Sequence, residues 1–305
     1  MNGIMAVRRL IVRGVVAPFV LCAPGCDSPV APHDADAFLS IAAGAEHSCV
    51  ATAAGAAWCW GRGTEGQLGH MEMRDASVPV PVAGPARFVQ LDGGRRHTCG
   101  VTTDGEVQCW GWGHHGQLGH GTTDTFSGPT RIASTGRYVS ASAGGNHSCA
   151  ITDQGAVHCW GDNSHGQLGD GTHMSRHSPV PVVSTLTFVE VSAGLFHTCG
   201  RSTDDRVFCW GLNHVGQLGT GDLVGVAVPT AVASDRLFRS VSAGVSHTCG
   251  ISAEGASFCW GSSEFGELGT GGLAEPGFPG ARQPAATLLG YSFVSVSASD
   301  GYTCA

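Results

Sequence analysis

Five copies of a His-x-Cys motif lie 50 residues apart in this chain, and a second cysteine follows each motif ten residues further on. The histidines are His47, His97, His147, His197 and His247. The cysteine pairs are Cys49 with Cys59, Cys99 with Cys109, Cys149 with Cys159, Cys199 with Cys209, and Cys249 with Cys259. Thiols and imidazoles at a fixed spacing are able to form disulfides or to bind zinc.

The residues between the paired cysteines favour a disulfide. In the second repeat, residues 103–105 (Thr-Asp-Gly) have the glycine last, which is typical of a type I turn followed by a G1 bulge. This hairpin register places Cys99 directly opposite Cys109, at a separation that a disulfide can bridge. In the fourth repeat Asp205 replaces the loop glycine, and Asp tolerates the left-handed conformation better than most residues. The sequence therefore predicts five intra-hairpin disulfides, with a zinc site as the alternative, for which each repeat supplies only three ligands.

Other catalytic patterns are weak. No carboxylate pair, Gly-x-Ser-x-Gly or His-Glu-x-x-His motif stands out. Gly-Gln-Leu-Gly recurs after each Cys-Trp-Gly, as Gly-Glu-Leu-Gly in the fifth repeat, but it lacks the Gly-Lys-Ser/Thr of a phosphate loop. We expect this motif to form a turn with its leucine between repeats, and we expect no cofactor and no metal.

Two further repeated residue types are predicted to be structural. We expect the histidines to be turn or core residues that are hydrogen-bonded to the backbone. The tryptophans are predicted to pack between repeats, and they are Trp60, Trp110, Trp160, Trp210 and Trp260.

The fixed period indicates a repeat architecture that positions all of these residues. In the third repeat, residues 138–143, 147–152 and 156–160 have strand patterns, and the proline-rich residues 179–182 fit a short edge strand. Four short antiparallel strands per repeat are the content of a propeller blade. The sequence therefore predicts an all-β propeller with five full blades of about 50 residues each.

A partial sixth repeat begins with a predicted strand at residues 293–297, and Cys304 has no partner ten residues on. Three arrangements remain open: a truncated six- or seven-bladed ring, five blades with two extra strands, or pairing of Cys304 with Cys22 or Cys26. An open propeller leaves exposed strand edges, which favours truncation.

The phrase Cys-Trp-Gly-x-Asn-x-x-Gly-Gln-Leu-Gly, preceded by a strand, a glycine and His-x-Cys, resembles the RCC1 repeat of the regulator of chromosome condensation family. Residues 159–169 and 209–219 match it best, and the resemblance covers residues 38–305. It implies an RCC1-like β-propeller. The family's namesake is a guanine-nucleotide exchange factor that also binds nucleosomes, and other members include a secreted bacterial inhibitor of β-lactamases. A resemblance to this family therefore does not by itself identify the function of the chain.

Two features of the namesake are missing from this sequence. Four successive repeats keep one 50-residue length, which leaves no room in them for the protruding hairpin that the exchange factor uses against its GTPase, and the only longer connection follows Gly269, at residues 271–290. The chain also has a formal net charge of -8 and no lysine, so it lacks the basic surface that nucleic-acid binding needs.

Residues 1–26 predict an export signal, because a basic start precedes apolar runs. Residues 23–26 (Ala-Pro-Gly-Cys) resemble a bacterial lipoprotein cleavage site, and lipid attachment at Cys26 competes with ordinary signal-peptidase cleavage. Residues 27–37 are predicted to be a flexible linker and residues 38–305 the propeller. Paired cysteines fit the same oxidising location, in the cell envelope or outside the cell.

We therefore expect an exported, non-enzymatic bacterial scaffold that binds another extracytoplasmic protein and contacts a membrane only through the lipid anchor. The residues predicted to bind the partner lie in the variable connections and are Trp112, His114, His115, His173, His214 and Phe265, with Met71, Met73 and Met174 as further candidates. One alternative is that these are scattered surface residues. Others are a regulator of a small GTPase, by family analogy alone, and a hydrolase with its site at the propeller face.

Overall fold

The computed structural model describes residues 37–271, 280–287, 290–299 and 302–305, and every regular element in them is a β-strand. Five four-stranded antiparallel sheets, which we call blades one to five, each consist of four consecutive strands in sequential order, and a two-stranded sheet follows them. The predicted all-β class, with five full blades and a partial sixth, is confirmed. The predicted leader, the lipid attachment at Cys26 and residues 27–36 of the predicted linker lie outside the described residues.

The strand bounds repeat closely from blade to blade. Blade one contains β1 (Phe38–Ala43), β2 (His47–Thr52), β3 (Ala57–Gly61) and β4 (Ala76–Pro81). Blade two contains β5 (Phe88–Gly93), β6 (His97–Thr102), β7 (Val107–Gly111) and β8 (Phe126–Arg131). Blade three contains β9 (Tyr138–Ala143), β10 (His147–Thr152), β11 (Val157–Gly161) and β12 (Arg176–Pro181).

Blade four contains β13 (Phe188–Ala193), β14 (His197–Ser202), β15 (Val207–Gly211) and β16 (Val226–Ala231). Blade five contains β17 (Phe238–Ala243), β18 (His247–Ser252), β19 (Ser257–Ser262) and β20 (Gly280–Ala286). The partial sixth blade contains β21 (Ser297–Ala298) and β22 (Thr303–Cys304).

Two strand predictions are corrected by the structure. The fourth strand of blade three begins at Arg176, ahead of the predicted 179–182, because it continues the ladder along β11 as far as Gly161. The strand predicted at residues 293–297 is reduced to Ser297–Ala298, because its only described partner is the two-residue β22.

The second and third strands of each blade form the predicted hairpin. Cys99 pairs with Cys109 in blade two, and the loop residue Gly105 has a positive φ of 76°. Asp205 takes the same left-handed position in blade four, with a φ of 61°. The G1-type loop therefore sets the register that brings the cysteines together.

All five predicted hairpin disulfides are present, with Cα–Cα separations of 4.0 to 4.2 Å. Each joins residues ten positions apart, and a loop of that length contributes about 2–3 kcal/mol in the chain-entropy account. The sulfurs are fully buried. Because each sulfur is bonded to its partner, no thiolate remains in the hairpins for the zinc alternative.

The apolar cores lie between blades rather than within one sheet. The first strands of successive blades contact one another in series. Trp160 of blade three packs with Val107 and Leu118 of blade two, and Trp110 of blade two packs with Leu68 of blade one. The tryptophans of blades two to five are fully buried, as predicted for packing between repeats. Trp60 of blade one is only half-buried, since no blade precedes it among the described residues.

Replacing Trp160 by alanine is expected to lower the free energy of unfolding by about 3–5 kcal/mol, because it opens a large cavity between two blades. The same change at Trp60 is expected to cost no more than about 1–2 kcal/mol, because that indole is partly solvated already. Urea unfolding of the two variants under non-reducing conditions measures the difference. Equal losses would contradict the assignment of the core to the blade interfaces.

Candidate functional site

One hydrogen-bond network recurs at every interface between blades and uses the repeated histidines. His97 Nε2 lies 2.8 Å from the hydroxyl of Ser148 in the next blade, and His147 Nε2 lies 2.8 Å from that of Thr198. The hydroxyl of Ser148 donates to the backbone carbonyl of Gln117, 2.9 Å away, and Trp160 Nε1 donates to the same carbonyl at 2.8 Å. The Gly-Gln-Leu-Gly turn of one blade therefore binds the tryptophan and the hydroxyl of the next in blades one to three. At the interface of blades four and five the hydroxyl of Thr248 donates to the Gln217 carbonyl at 2.8 Å, but Trp260 Nε1 has no hydrogen-bond partner among the described residues.

This network corrects the prediction that the histidines are hydrogen-bonded to the backbone. A hydroxyl has one proton, and that of Ser148 is given to Gln117. Its oxygen must therefore accept a hydrogen bond from Nε2–H of His97, so His97 is the neutral tautomer with hydrogen on Nε2. The same donors and acceptors link His47 to Thr98.

Burial lowers the pKa of these histidines far below its ordinary value. The pKa of His47 and of His147 falls to about 4, and that of His97 and of His197 to about 3. Desolvation is the main cause, and repulsion from the neighbouring histidines lowers the pKa of His97 and His197 further. The pKa of His247 is lowered by burial as well. The five histidines are therefore uncharged elements of the interfaces at neutral pH.

The Gly-Gln-Leu-Gly turn also fixes the loop that precedes it. The Gln117 side chain accepts a hydrogen bond from the backbone N–H of His115 at 2.9 Å, and Gln167 does the same for His165. Leu118 is buried between blades, as predicted. In blade five Glu267 replaces the glutamine and accepts from the N–H of Phe265. The variable residues just before the turn thus occupy equivalent positions in every blade.

The first turn of each blade and the loop after its third strand form one surface, which we call the loop face. The N–H of Trp112 donates to the carbonyl of Arg96 at 3.0 Å, and the N–H of Leu212 donates to that of Phe196 at 2.9 Å. Between blades two and three, the N–H of Arg95 donates to the carbonyl of Gly144 at 3.1 Å. The loop face comprises residues 45–46 and 62–65 of blade one and their equivalents at 95–96 and 112–115, 145–146 and 162–165, 195–196 and 212–215, and 245–246 and 262–265.

Blade two makes the loop face basic and aromatic. The guanidinium of Arg96 lies 5.2 Å from the ring centre of Trp112. The rings of His114 and His115 lie 5.3 and 5.1 Å from the same indole. Neither Arg95 nor Arg96 has a carboxylate within 4.0 Å among the described residues. These cations are therefore available to an external anion.

The other blades differ in character at the same positions. In blade one Arg62 is ion-paired with Glu46 at 2.6 Å. Blade four presents the half-buried apolar side chains Leu195, Phe196, Leu212 and Val215. In blade five Phe265 is 73% exposed.

The structure divides the predicted binding residues into two groups. Trp112, His114, His115, His214 and Phe265 lie on the loop face. His173 and Met174 lie instead in the connection leading to β12, and Met71 and Met73 lie in the equivalent connection to β4. Sequence reasoning missed Arg95, Arg96 and the apolar residues of blade four. The sequence signal that could have revealed them is the variation of the two residues before each repeated histidine. These read Ala-Glu, Arg-Arg, Gly-Asn, Leu-Phe and Val-Ser in blades one to five.

Other chemistry is sparse in the part of the chain that the structure describes. It contains no group of three or more His, Cys, Asp or Glu side chains arranged to hold a metal ion. No helix among these residues has the length and apolar character that crossing a membrane requires. A polar cavity of about 400 Å³ lies beside Arg87, Asp104 and Glu106, at the end of blade two opposite the loop face.

Comparison with known proteins identifies the fold. A sequence model described as the RCC1-like domain matches residues 29–305. Human WBSCR16 superposes with a TM-score of 0.77 at 23% identity, over 86% of this chain and 70% of that chain. Yeast RCC1 (Prp20), in its complex with Kap60, gives a TM-score of 0.75 at 22% identity, over 86% of this chain and 66% of that chain.

A second structure, of Prp20p from Saccharomyces cerevisiae, described with its binding properties to Gsp1p and histones, gives a TM-score of 0.71 at 23% identity, over 85% of this chain and 66% of that chain. This chain thus spans just under two thirds of the yeast protein. The search of curated protein sequences finds no match. At these identities the likeness establishes the β-propeller fold alone.

Acidification is expected to destabilise the protein below about pH 6.5, the ordinary pKa of histidine. Below pH 6.5 the histidines of the unfolded chain bind protons, whereas the buried histidines of the folded protein stay neutral. The stability that is present above pH 6.5 is therefore lost as the pH falls toward 4 and 3. Each histidine contributes up to about 1.4 kcal/mol per pH unit. Asp92 offsets part of this below pH 6, because burial raises the pKa of its carboxyl to about 6.

The measurement is the urea midpoint between pH 8 and pH 5. His147→Gln should reduce the slope of stability against pH by the share of one histidine, and the same substitution at the exposed His114 is the matched control. A slope that is the same in both variants would contradict the interface role of His147.

Proposed function

The chain belongs to the RCC1-like domain family, and from this premise we propose that it is an exported, non-enzymatic β-propeller that binds another protein through its loop face. The observation that carries the proposal is the contrast between framework and loops. The interface histidines, tryptophans and disulfides repeat in all five blades, whereas the combination of loop-face residues is different in each blade. The residues that repeat stabilise the fold, and the loop-face residues that vary between blades are the ones available to recognise a partner.

The chemistry of the loop face fits a protein partner. Blade two offers Trp112 beside Arg96, with Arg95 as the preceding residue of the same turn, and aromatic residues and arginine are the residue types enriched at the centres of protein interfaces. Blade four offers an apolar patch around Leu195 and Phe196. A partner that places carboxylates at blade two and apolar side chains at blade four would match both. Nucleic acid is disfavoured by the net charge of -8.

Export is supported by the cysteines. Five buried disulfides fit an oxidising compartment, and such bonds are rare in cytosolic proteins. The leader predicted at residues 1–26 would deliver the chain there, with or without a lipid on Cys26. The same proposal includes that this leader is a bacterial export signal.

A regulator of a small GTPase is the second candidate. It is favoured by the structural likeness to Prp20p, whose structure is described with binding to Gsp1p. It requires a cytosolic or nuclear location, where the five disulfides would be unusual. The location of the native protein therefore separates the two candidates.

The location is tested by the intact mass of the native protein, taken from its own cells by compartment, with and without reduction. We expect a mass that lacks the leader and that rises by about two hydrogens per hairpin on reduction, as closed disulfides require. A full-length, reduced protein in the cytosol would overturn the export proposal and favour the GTPase regulator.

The loop face is tested by charge-matched variants. A photo-crosslinking residue at position 112 should capture a partner, and Arg95→Gln combined with Arg96→Gln should weaken its binding at least about tenfold, with a smaller salt dependence. The control is Arg131→Gln combined with Arg137→Gln, which removes the same charge at the hairpin end of the strands. Equal loss in both pairs would indicate only long-range attraction and would contradict a loop-face site.

A further inference from the structure

The polar cavity at the hairpin end of blade two has a volume of about 400 Å³, which is in the size range of small-molecule sites. One wall is formed by residues 83–87, which connect β4 to β5. The opposite wall is formed by the hairpin between β6 and β7, at residues 102–104 and 106. Gln108 of β7 and Pro129 of β8 complete the lining.

The residue at position 108 explains why this space is open in blade two. Gln108 pairs with Gly100 on the second strand, as Phe208 pairs with Gly200 in blade four. The equivalent residue of the third strand is aromatic in the four other blades, where it is Trp58, His158, Phe208 or Phe258. Blade two alone among the five has a side chain without a ring at this position.

The residue that covers this position is small in blade two as well. In blade five the guanidinium of Arg236 lies 4.4 Å from the ring centre of Phe258. In blade four Leu186 and Phe208 pack against one core cluster. The equivalent of Arg236 and Leu186 in blade two is Ala86. A ring and its covering side chain are therefore both missing, and the space that they fill elsewhere is open here.

The lining residues carry polar groups of both signs. Asp104 and Glu106 carry carboxylates, Gln108 carries an amide, and Arg87 carries a guanidinium. Glu106 is ion-paired with Arg131 at 2.8 Å, whereas Asp104 has no basic nitrogen within 4.0 Å among the described residues. The two carboxylates and the two guanidiniums balance in formal charge. The cavity therefore favours an uncharged ligand that both donates and accepts hydrogen bonds.

Hydrogen bonds hold the two walls in position. The N–H of Thr103 donates to the carbonyl of Arg87 at 2.9 Å and so joins the hairpin to the connection. The guanidinium of Arg87 donates to the carbonyl of Ala54 in the hairpin of blade one, which uses one of its several N–H groups. Within the hairpin, the N–H of Gly105 donates to the carbonyl of Thr102 at 2.9 Å. A cavity that is formed in advance loses little conformational freedom when a ligand binds.

We propose that this cavity binds a hexopyranose sugar ring. The size of the ligand follows from blades four and five, where the equivalent space holds a six-membered phenyl ring. Its chemistry follows from the lining, because sugar hydroxyls donate to carboxylates and accept from amide and guanidinium N–H groups. Ala86 and Pro129 offer apolar surface to the C–H face of such a ring.

Binding is tested by NMR titration of the isotope-labelled protein with glucose, galactose, mannose and N-acetylglucosamine. At least one sugar should shift the side-chain amide signal of Gln108 and the backbone signals of residues 102–106 saturably. The expected Kd is about 1–10 mM, because the ligand is small and polar. Para-cresol is the comparison ligand, since it has the ring but lacks the set of hydroxyls. No saturable shift with any sugar, or tighter binding of para-cresol, would overturn the proposal.

The cavity is closed by Gln108→Phe, which introduces the residue that blades four and five have at this position. The variant should keep the urea midpoint of the wild type, because the framework already accommodates a phenyl ring there. It should weaken sugar binding at least about tenfold, since the ring takes the place of the ligand. Sugar binding that survives unchanged in a folded Gln108→Phe variant would contradict the site.

The polar contacts are tested by Asp104→Asn, which leaves the cavity open. The matched control is Asp204→Asn, at the same exposed hairpin position in blade four. Loss of a hydrogen bond to a charged group should weaken sugar binding at least about threefold in Asp104→Asn, and binding should not change in Asp204→Asn. Equal effects of the two substitutions would exclude a contact between the sugar and Asp104.

This site is separable from the loop face. The Arg95→Gln and Arg96→Gln double variant should bind the sugar as the wild type does. In turn, Gln108→Phe should still bind the protein partner that is captured from position 112. Loss of sugar binding in the arginine double variant would place the sugar on the loop face and contradict the cavity site.

Discussion

The blades are held together through one backbone carbonyl per interface, that of the second residue in the Gly-Gln-Leu-Gly turn, which accepts a hydroxyl at each interface between blades one and five and also an indole at the first three. The Gln117 carbonyl uses both of its lone pairs, one for the hydroxyl of Ser148 and one for the indole of Trp160. Both donors are fully buried, and a buried donor without a partner costs about 1–3 kcal/mol. Neighbouring blades therefore cannot slide or separate without exposing or orphaning several polar groups at once. This requirement explains why the motif, the tryptophan and the histidine recur together.

The close approach of the blades sets the remaining repeated residues. A Cβ on Gly94 would stand 2.5 Å from the carbonyl oxygen of Gly144, so the inner turn of each blade admits no side chain at that position. Glycine lowers the stability of the folded state, because it gives the unfolded chain more conformational freedom to lose on folding. The hairpin disulfides act against the same freedom, since they restrict the unfolded chain near each turn. Glycine-rich turns and cysteine pairs are thus two consequences of packing small, tightly spaced blades.

The repeats made most of this fold predictable from the sequence. The period, the hairpin loop and the left-handed position of Asp205 follow from residue types at fixed spacing, and the structure contains each of them. The hydroxyl partners of the histidines were not predictable, because His97 and Ser148 are separated by a whole repeat and meet only when two blades pack. The ends of the fourth strands were also missed, because pairing with the third strand, rather than the proline pattern, decides where they begin.

The candidate site was only partly predictable, for a related reason. Single residues such as Trp112 stand out in the sequence, but the cations around it become part of one site only through the hydrogen bond from Trp112 to Arg96. Phe196 belongs to the same surface for the same kind of reason, since Leu212 donates to its carbonyl. Residues that converge from two loops of one blade carry no joint signal in the linear sequence.

A propeller with five equivalent loops would offer a partner five equivalent orientations. The differences between blades remove this ambiguity, because specificity requires that the wrong orientations be worse than the right one. A partner carboxylate placed at blade two meets Arg96 beside Trp112, whereas the same carboxylate rotated to blade four meets the apolar Phe196 and would lose its solvation without gaining a counter-ion. Rotated to blade one, it meets Arg62, which is already paired with Glu46. The uneven charge of the loop face would therefore favour one orientation of the proposed partner on a framework whose blades are otherwise nearly equivalent.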